Sequence, residues 1–320
     1  MQLAQSLFSS GTSQLPNESA TSAGTSSGNP ESLQALRASR SKDRKRLWIW
    51  ILFVFFLPAA ILYAFRAPLK LETSVISVRF LLPIKVFMAL IAALATWIVS
   101  RVEKRPLDDY GIPPSQALGP RFWEGALWGF AMMSAILFVL HISGHFQINS
   151  LALHGGAIAR YALAWGAVFY AVAINEEFAF RGYLLFSIAK RRRFWRAALV
   201  VSAIFAAVHL ANPGENAFGI LQVFVVGMLF CLMIQRTGNL WFAVGFHAAW
   251  DWAETFFYGT PDSGLLGVGR LLNTSAPGPN LLTGGSAGPE GSILALAVLL
   301  LCALLVHLRF PKAIYPDQPV

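Results

Sequence analysis

A series of mostly apolar stretches, each about as long as a bilayer is thick, leaves this chain few ways to fold. A helix rises about 1.5 Å per residue, so roughly 20 apolar residues cross the hydrocarbon layer. The stretches are Leu47–Phe65, Phe80–Ser100, Phe122–His141, Ala157–Lys190, Phe194–Leu210, Phe218–Gln235, Leu240–Tyr258 and Ile293–Leu308. Inside lipid every backbone N–H and C=O must find a partner within the protein, and a helix supplies all of them locally. The expected fold is therefore an all-α, polytopic transmembrane bundle of about eight helices. The fourth stretch is too long for a perpendicular crossing and should tilt or project. The fifth is short and stops at Asn212-Pro213-Gly214.

Composition excludes the main alternative. Hydrophobic residues make up 56% of the 320 and charged residues 13%, whereas a soluble domain has about 45–50% and about 25%. The formal net charge of +9 would raise the question of nucleic acid in a soluble protein. Here the positive residues sit at the ends of apolar stretches, and no soluble segment interleaves them with aromatics, so no nucleic-acid partner is expected. Arg101, Lys104, Arg105 and Arg121 fall in one loop, Lys190 to Arg196 in another, Arg236 in a third, and Arg309 and Lys312 at the end. The intervening loops are poorer in positive charge, less clearly so in the first, which holds Arg66, Lys70 and Arg79, and the pattern fits both termini in the cytoplasm. Residues 1–46 read as a disordered polar and basic cytoplasmic tail, 47–310 as the bundle and 311–320 as a C-terminal tail. The Gly/Pro-rich stretch 259–292 is expected to be an external loop without regular structure. Cys231 and Cys302 lie in apolar runs and form no disulfide framework.

Ionisable groups inside spanning helices are costly and mark function by default. Three stretches carry them: Asn175-Glu176-Glu177-Phe178-Ala179-Phe180-Arg181, Phe205-Ala206-Ala207-Val208-His209, and His247-Ala248-Ala249-Trp250-Asp251. Glu177 and Arg181 are four apart and can pair, as can His247 and Asp251, while Glu176 points about 100° away from Glu177. Helical rise puts Glu176 and His209 each roughly 20 Å from their shared turn, and Asp251 roughly 18 Å from the next. Four polar groups from three helices thus reach overlapping layers. A shielded carboxylate facing an imidazole can activate water, and a second imidazole with a donor can stabilise an oxyanion. Three other readings stay open from the residues. Glu176, His209 and His247 could ligate zinc, although no His-Glu-x-x-His occurs. The same charges could form structural pairs in a scaffold or immunity-type protein, or serve a proton-coupled transporter.

The order Glu-Glu-x-x-x-Arg, Phe-x-x-x-His, His-x-x-x-Asn/Asp, from about Tyr161 to Tyr258, resembles the type II CAAX prenyl endopeptidase family, also called the CPBP intramembrane proteases. The resemblance implies a catalytic core at 161–258 and an endopeptidase acting on a membrane-associated protein or peptide at the bilayer, without a metal cofactor. It implies that Glu176 activates the water with His209 as partner, and that His247 and Asp251 form the oxyanion site. Glu177, Arg181 and the motif residue Phe205 support them. Asp251 stands where some members have Asn. An ionised carboxylate only accepts hydrogen bonds, so Asp251 must either be protonated or orient His247.

Overall fold

The computed structural model describes residues 41–43, 45–56, 75–190, 192–212 and 217–317. Contacts set residues 1–44 apart from a second unit, Lys45–Val320, which holds the helical bundle. Its long helices are α1 (Val78–Glu103), α2 (Pro120–Ile142), α3 (Gly156–Glu177), α4 (Phe194–His209), α5 (Ala217–Thr237), α6 (Leu240–Trp252) and α7 (Ile293–Arg309). Among the described residues four helical spans, Val78–Glu103, Pro120–Ile142, Gly156–Ala189 and Ala217–Thr237, are long and apolar enough to cross a membrane. The outward surfaces carry exposed Leu90, Leu94, Leu127, Phe138, Leu163 and Leu304. Large apolar side chains exposed in such number are costly in water and natural in lipid. The protein is an all-α membrane helix bundle.

Of the first expected stretch, residues 45–51 are helical and Leu52–Phe56 forms a π-helical turn. The rest of it, like nearly all of the predicted tail 1–46, lies outside the described residues. The fourth stretch is not one straight rod. After Glu177 the chain passes through a π-helical segment, Phe178–Leu184, before resuming α-helix at Leu185–Ala189. Gly182 sits there with non-helical torsions (φ −76°, ψ −110°). The wider turn re-aims side chains after Glu177, which is how Arg181 comes to be fully buried.

Loop 259–292 departs from expectation. Val75–Ile76 (β1) pairs in parallel with Leu266–Gly267 (β3), and Gln147–Leu151 (β2) pairs antiparallel with Leu272–Ser275 (β4). A short helix, Asn280–Thr283, and a tight turn, Pro289–Gly291, follow. Strands of two to five residues are too short to show an alternating pattern, and their partners are remote in sequence. Both cysteines are free and buried.

Two features hold the helices that carry the polar residues. At the end of α1, Glu103 accepts hydrogen bonds from Tyr110 (2.9 Å) and Tyr183 (3.0 Å) and pairs with Lys190. On the other side, α2 and α6 approach with almost no side chain between them. Gly125 and Gly129, one turn apart, lie against the carbonyls of Phe242 and Phe246, and Gly245 lies against that of Phe122; a Cβ at any of the three would overlap those oxygens. Packing of small residues is what holds membrane helices close, since lipid gives no hydrophobic drive between them. Gly129→Leu is therefore expected to destabilise the bundle by about 2 kcal/mol and to lower the melting temperature measured in detergent. A melting temperature unchanged by that substitution would contradict the close approach.

Candidate active site

The last turn of α3 presents two consecutive carboxylates to different places. Glu177 turns into the protein and is fully buried, while the Glu176 side chain keeps 19% exposure toward a cavity. Arg181, also fully buried, reaches back to Glu177 with Nη1–Oε1 of 3.1 Å. Its guanidinium lies 4.0 Å from the Phe205 ring centre and 5.4 Å from that of Phe230. One carboxylate and the negative faces of two rings compensate the buried cation, where water is excluded.

The same Glu177 Oε1 accepts a hydrogen bond from His247 Nδ1 at 2.9 Å. The sequence reading pairs Glu177 only with Arg181; the structure gives it a second task, fixing the ring of His247. The Phe230 ring stacks on that imidazole with centres 5.5 Å apart. His247 then presents Nε2 to the cavity, 3.4 Å from Asp251 Oδ2 and 3.9 Å from Glu176 Oε2.

His209, at the end of α4, is oriented by its own helix. Its Nδ1 donates to the Phe205 carbonyl at 2.7 Å, and its ring lies 4.4 Å from the Phe205 ring. A neutral imidazole that donates from Nδ1 carries its lone pair on Nε2. That Nε2 faces Glu176 Oε2 at 4.0 Å. All four residues named from sequence, Glu176, His209, His247 and Asp251, therefore line one cavity of about 200 Å³, roomy enough for several waters.

The structure adds wall residues that the sequence reading passed over. Lys85, from α1, lines the cavity; a lysine inside an apolar stretch was a legible signal. Asp262, Ser263 and Glu290 come from loop 259–292, and nothing in its composition shows that it folds onto the bundle. Glu176 Oε2 and the two Nε2 atoms are also the set that zinc would take. Their spacings of 3.9 and 4.0 Å are wider than the edge of about 3.3 Å expected for a tetrahedron with bonds of about 2.05 Å.

Residues 158–253 match the family described as type II CAAX prenyl endopeptidase Rce1-like. The match spans just under a third of the chain and includes all three polar motifs. It indicates a peptidase, in general terms a CAAX-type intramembrane protease acting on membrane-associated proteins. No curated protein and no solved structure matches the chain.

Proposed function

We propose that this chain, with its type II CAAX prenyl endopeptidase-like region at 158–253, hydrolyses a peptide bond of a membrane-associated protein with a water activated by Glu176. The observation that carries the reading is the convergence of two imidazole Nε2 atoms on one carboxylate oxygen, at 3.9 and 4.0 Å. Two hydrogen bonds of about 2.8 Å meeting at roughly a right angle span about 4 Å, so one water can bridge each gap.

In this scheme Glu176 removes a proton from the water as its oxygen attacks the carbonyl carbon. His209, with its lone pair on Nε2, holds the water, takes up the proton that Glu176 has removed and delivers it to the departing amine, which leaves Glu176 ionised again. The tetrahedral intermediate places its oxyanion in the site formed by His247 and Asp251, where His247 donates from both ring nitrogens, Nδ1–H to Glu177 and Nε2–H to the oxyanion, and Asp251 orients the ring. His247 is held for this by Glu177, which Arg181 in turn keeps in place. Water activated in this way needs no nucleophilic side chain and no metal. The catalytic core is 161–258, loop 259–292 is external, and the tails 1–46 and 311–320 are cytoplasmic.

His209→Ala tests the reading directly. Membranes containing the wild-type protein should yield protein termini, detected by mass spectrometry, that are missing from membranes containing the variant. Identical sets of termini would reject hydrolysis in favour of a scaffold or transporter. Activity of the purified wild type should persist in chelator; stoichiometric zinc, with activity lost on its removal, would overturn the metal-free scheme. Asp251→Asn is expected to keep activity within about tenfold, because a carboxamide still orients His247 and can donate to an oxyanion. A drop of about a thousand-fold would instead make the ionisable carboxyl essential.

A further inference from the structure

The geometry points to a second site: Glu254, Asp262 and Glu290 form an all-oxygen cation site of the calcium class that fastens loop 259–292 to the end of α6. Each residue offers a carboxylate oxygen, and the three oxygens lie within 4.8 Å of one another. That is the span of two Ca–O bonds of about 2.4 Å. With no imidazole or thiolate in the set, a hard cation suits it better than zinc.

The buried member itself asks for a ligand. Glu254 lies in the π-helical turn Ala253–Tyr258 after α6 and is fully buried. Its Oε2 has no hydrogen-bond partner, and its Oε1 accepts only a long bond, 3.4 Å, from the Glu290 N–H. Among the described residues, neither Glu254 nor Asp262 has an ion pair with Lys or Arg. A carboxylate in that position leaves a strongly solvated oxygen facing nothing, which is costly unless a cation or a proton meets it.

The loop is built around this point. Thr260 bonds the Glu254 carbonyl through both N (3.0 Å) and Oγ1 (3.1 Å). Thr255 Oγ1 donates to Asp262 Oδ2 (3.1 Å), and Ser263 donates through N (2.7 Å) and Oγ (2.9 Å) to Glu290 Oε1. These bonds aim the carboxylates without neutralising them. Burial, and then the charges of Asp251 and Glu290, hold the Asp262 carboxyl well above the usual carboxylate range. Binding a divalent cation removes the like-charge repulsion that three converging carboxylates create. Asp262 and Glu290 also line the Glu176 cavity, so the ion would stiffen that wall with a ligand set that includes neither Glu176 nor the two imidazoles.

The site stands independently of the hydrolase reading, because its test measures binding. The full-length protein in detergent, freed of metal, is titrated with calcium chloride while bound calcium is measured by equilibrium dialysis with radioactive calcium and the melting temperature is followed. One calcium per chain is expected, with a Kd of about 1 mM or tighter, and a melting temperature raised by about 5 °C at a hundredfold excess over Kd. Asp262→Asn and Glu290→Gln should each abolish the binding and the shift. Relieved of repulsion, both variants should melt no lower than the metal-free wild type, which separates loss of the ion from loss of the fold. Absence of saturable binding to the wild type would overturn the inference, as would binding that survives both substitutions or is lost in His209→Ala.

Discussion

Glu176→Gln is expected to lower peptide hydrolysis about a thousand-fold or more, the range set by loss of a general base, while the protein still inserts and folds. The carboxamide has the shape of the carboxylate but cannot take the proton of the attacking water. Stability should survive because Glu176 holds nothing else together. The two imidazoles that face it stand 3.9 and 4.0 Å away, beyond hydrogen-bond distance, and its side chain faces a cavity. Single-turnover rates on reconstituted protein, with melting temperatures of both forms, measure the two halves of this expectation. A variant that cleaves within about tenfold of wild type would remove Glu176 from the role of base.

Arg181→Ala should have the opposite signature, a loss of stability of about 3–5 kcal/mol. Glu177 and Arg181 are both fully buried. Removing the guanidinium leaves the buried carboxylate with only the His247 bond in a site closed to water, and leaves the Phe205 and Phe230 rings facing a void. Activity should fall as well, since Glu177 also holds His247 at 2.9 Å. The double variant Arg181→Met/Glu177→Gln tells the two effects apart. With no charge left unpaired it should recover much of the lost stability. It should not recover the rate, because a carboxamide positions the imidazole less firmly. If Arg181→Ala unfolds within about 1 kcal/mol of wild type, the range of an exposed pair, the buried pair is not what holds this turn.

The polar motifs show how far reading along the chain reaches. Helical rise places Glu176, His209, His247 and Asp251 in overlapping layers, and the structure sets them around one cavity. Rise along an axis says nothing of rotation about it. Whether Glu177 faces only Arg181 or His247 too depends on how α3 and α6 are turned toward each other. The π-helical segment Phe178–Leu184 changes that rotation without leaving a mark in the hydropathy pattern. Lys85 is a different kind of omission: its charge inside an apolar stretch was visible, but its neighbours were not.

By itself the amino-acid order determined the lipid solvent, the helical class and the distance of the acidic and imidazole groups along their helices, because each follows from local quantities: apolar run length, backbone self-sufficiency and rise per residue. Tertiary structure alone decided the close seating of α6 on Gly125 and Gly129, the sharing of Glu177 between Arg181 and His247, and the folding of loop 259–292 onto the cavity wall. Those arrangements join residues from distant parts of the chain. They exist only once helices have chosen their neighbours and their rotations, and that choice is made by packing and by pairing of buried charge.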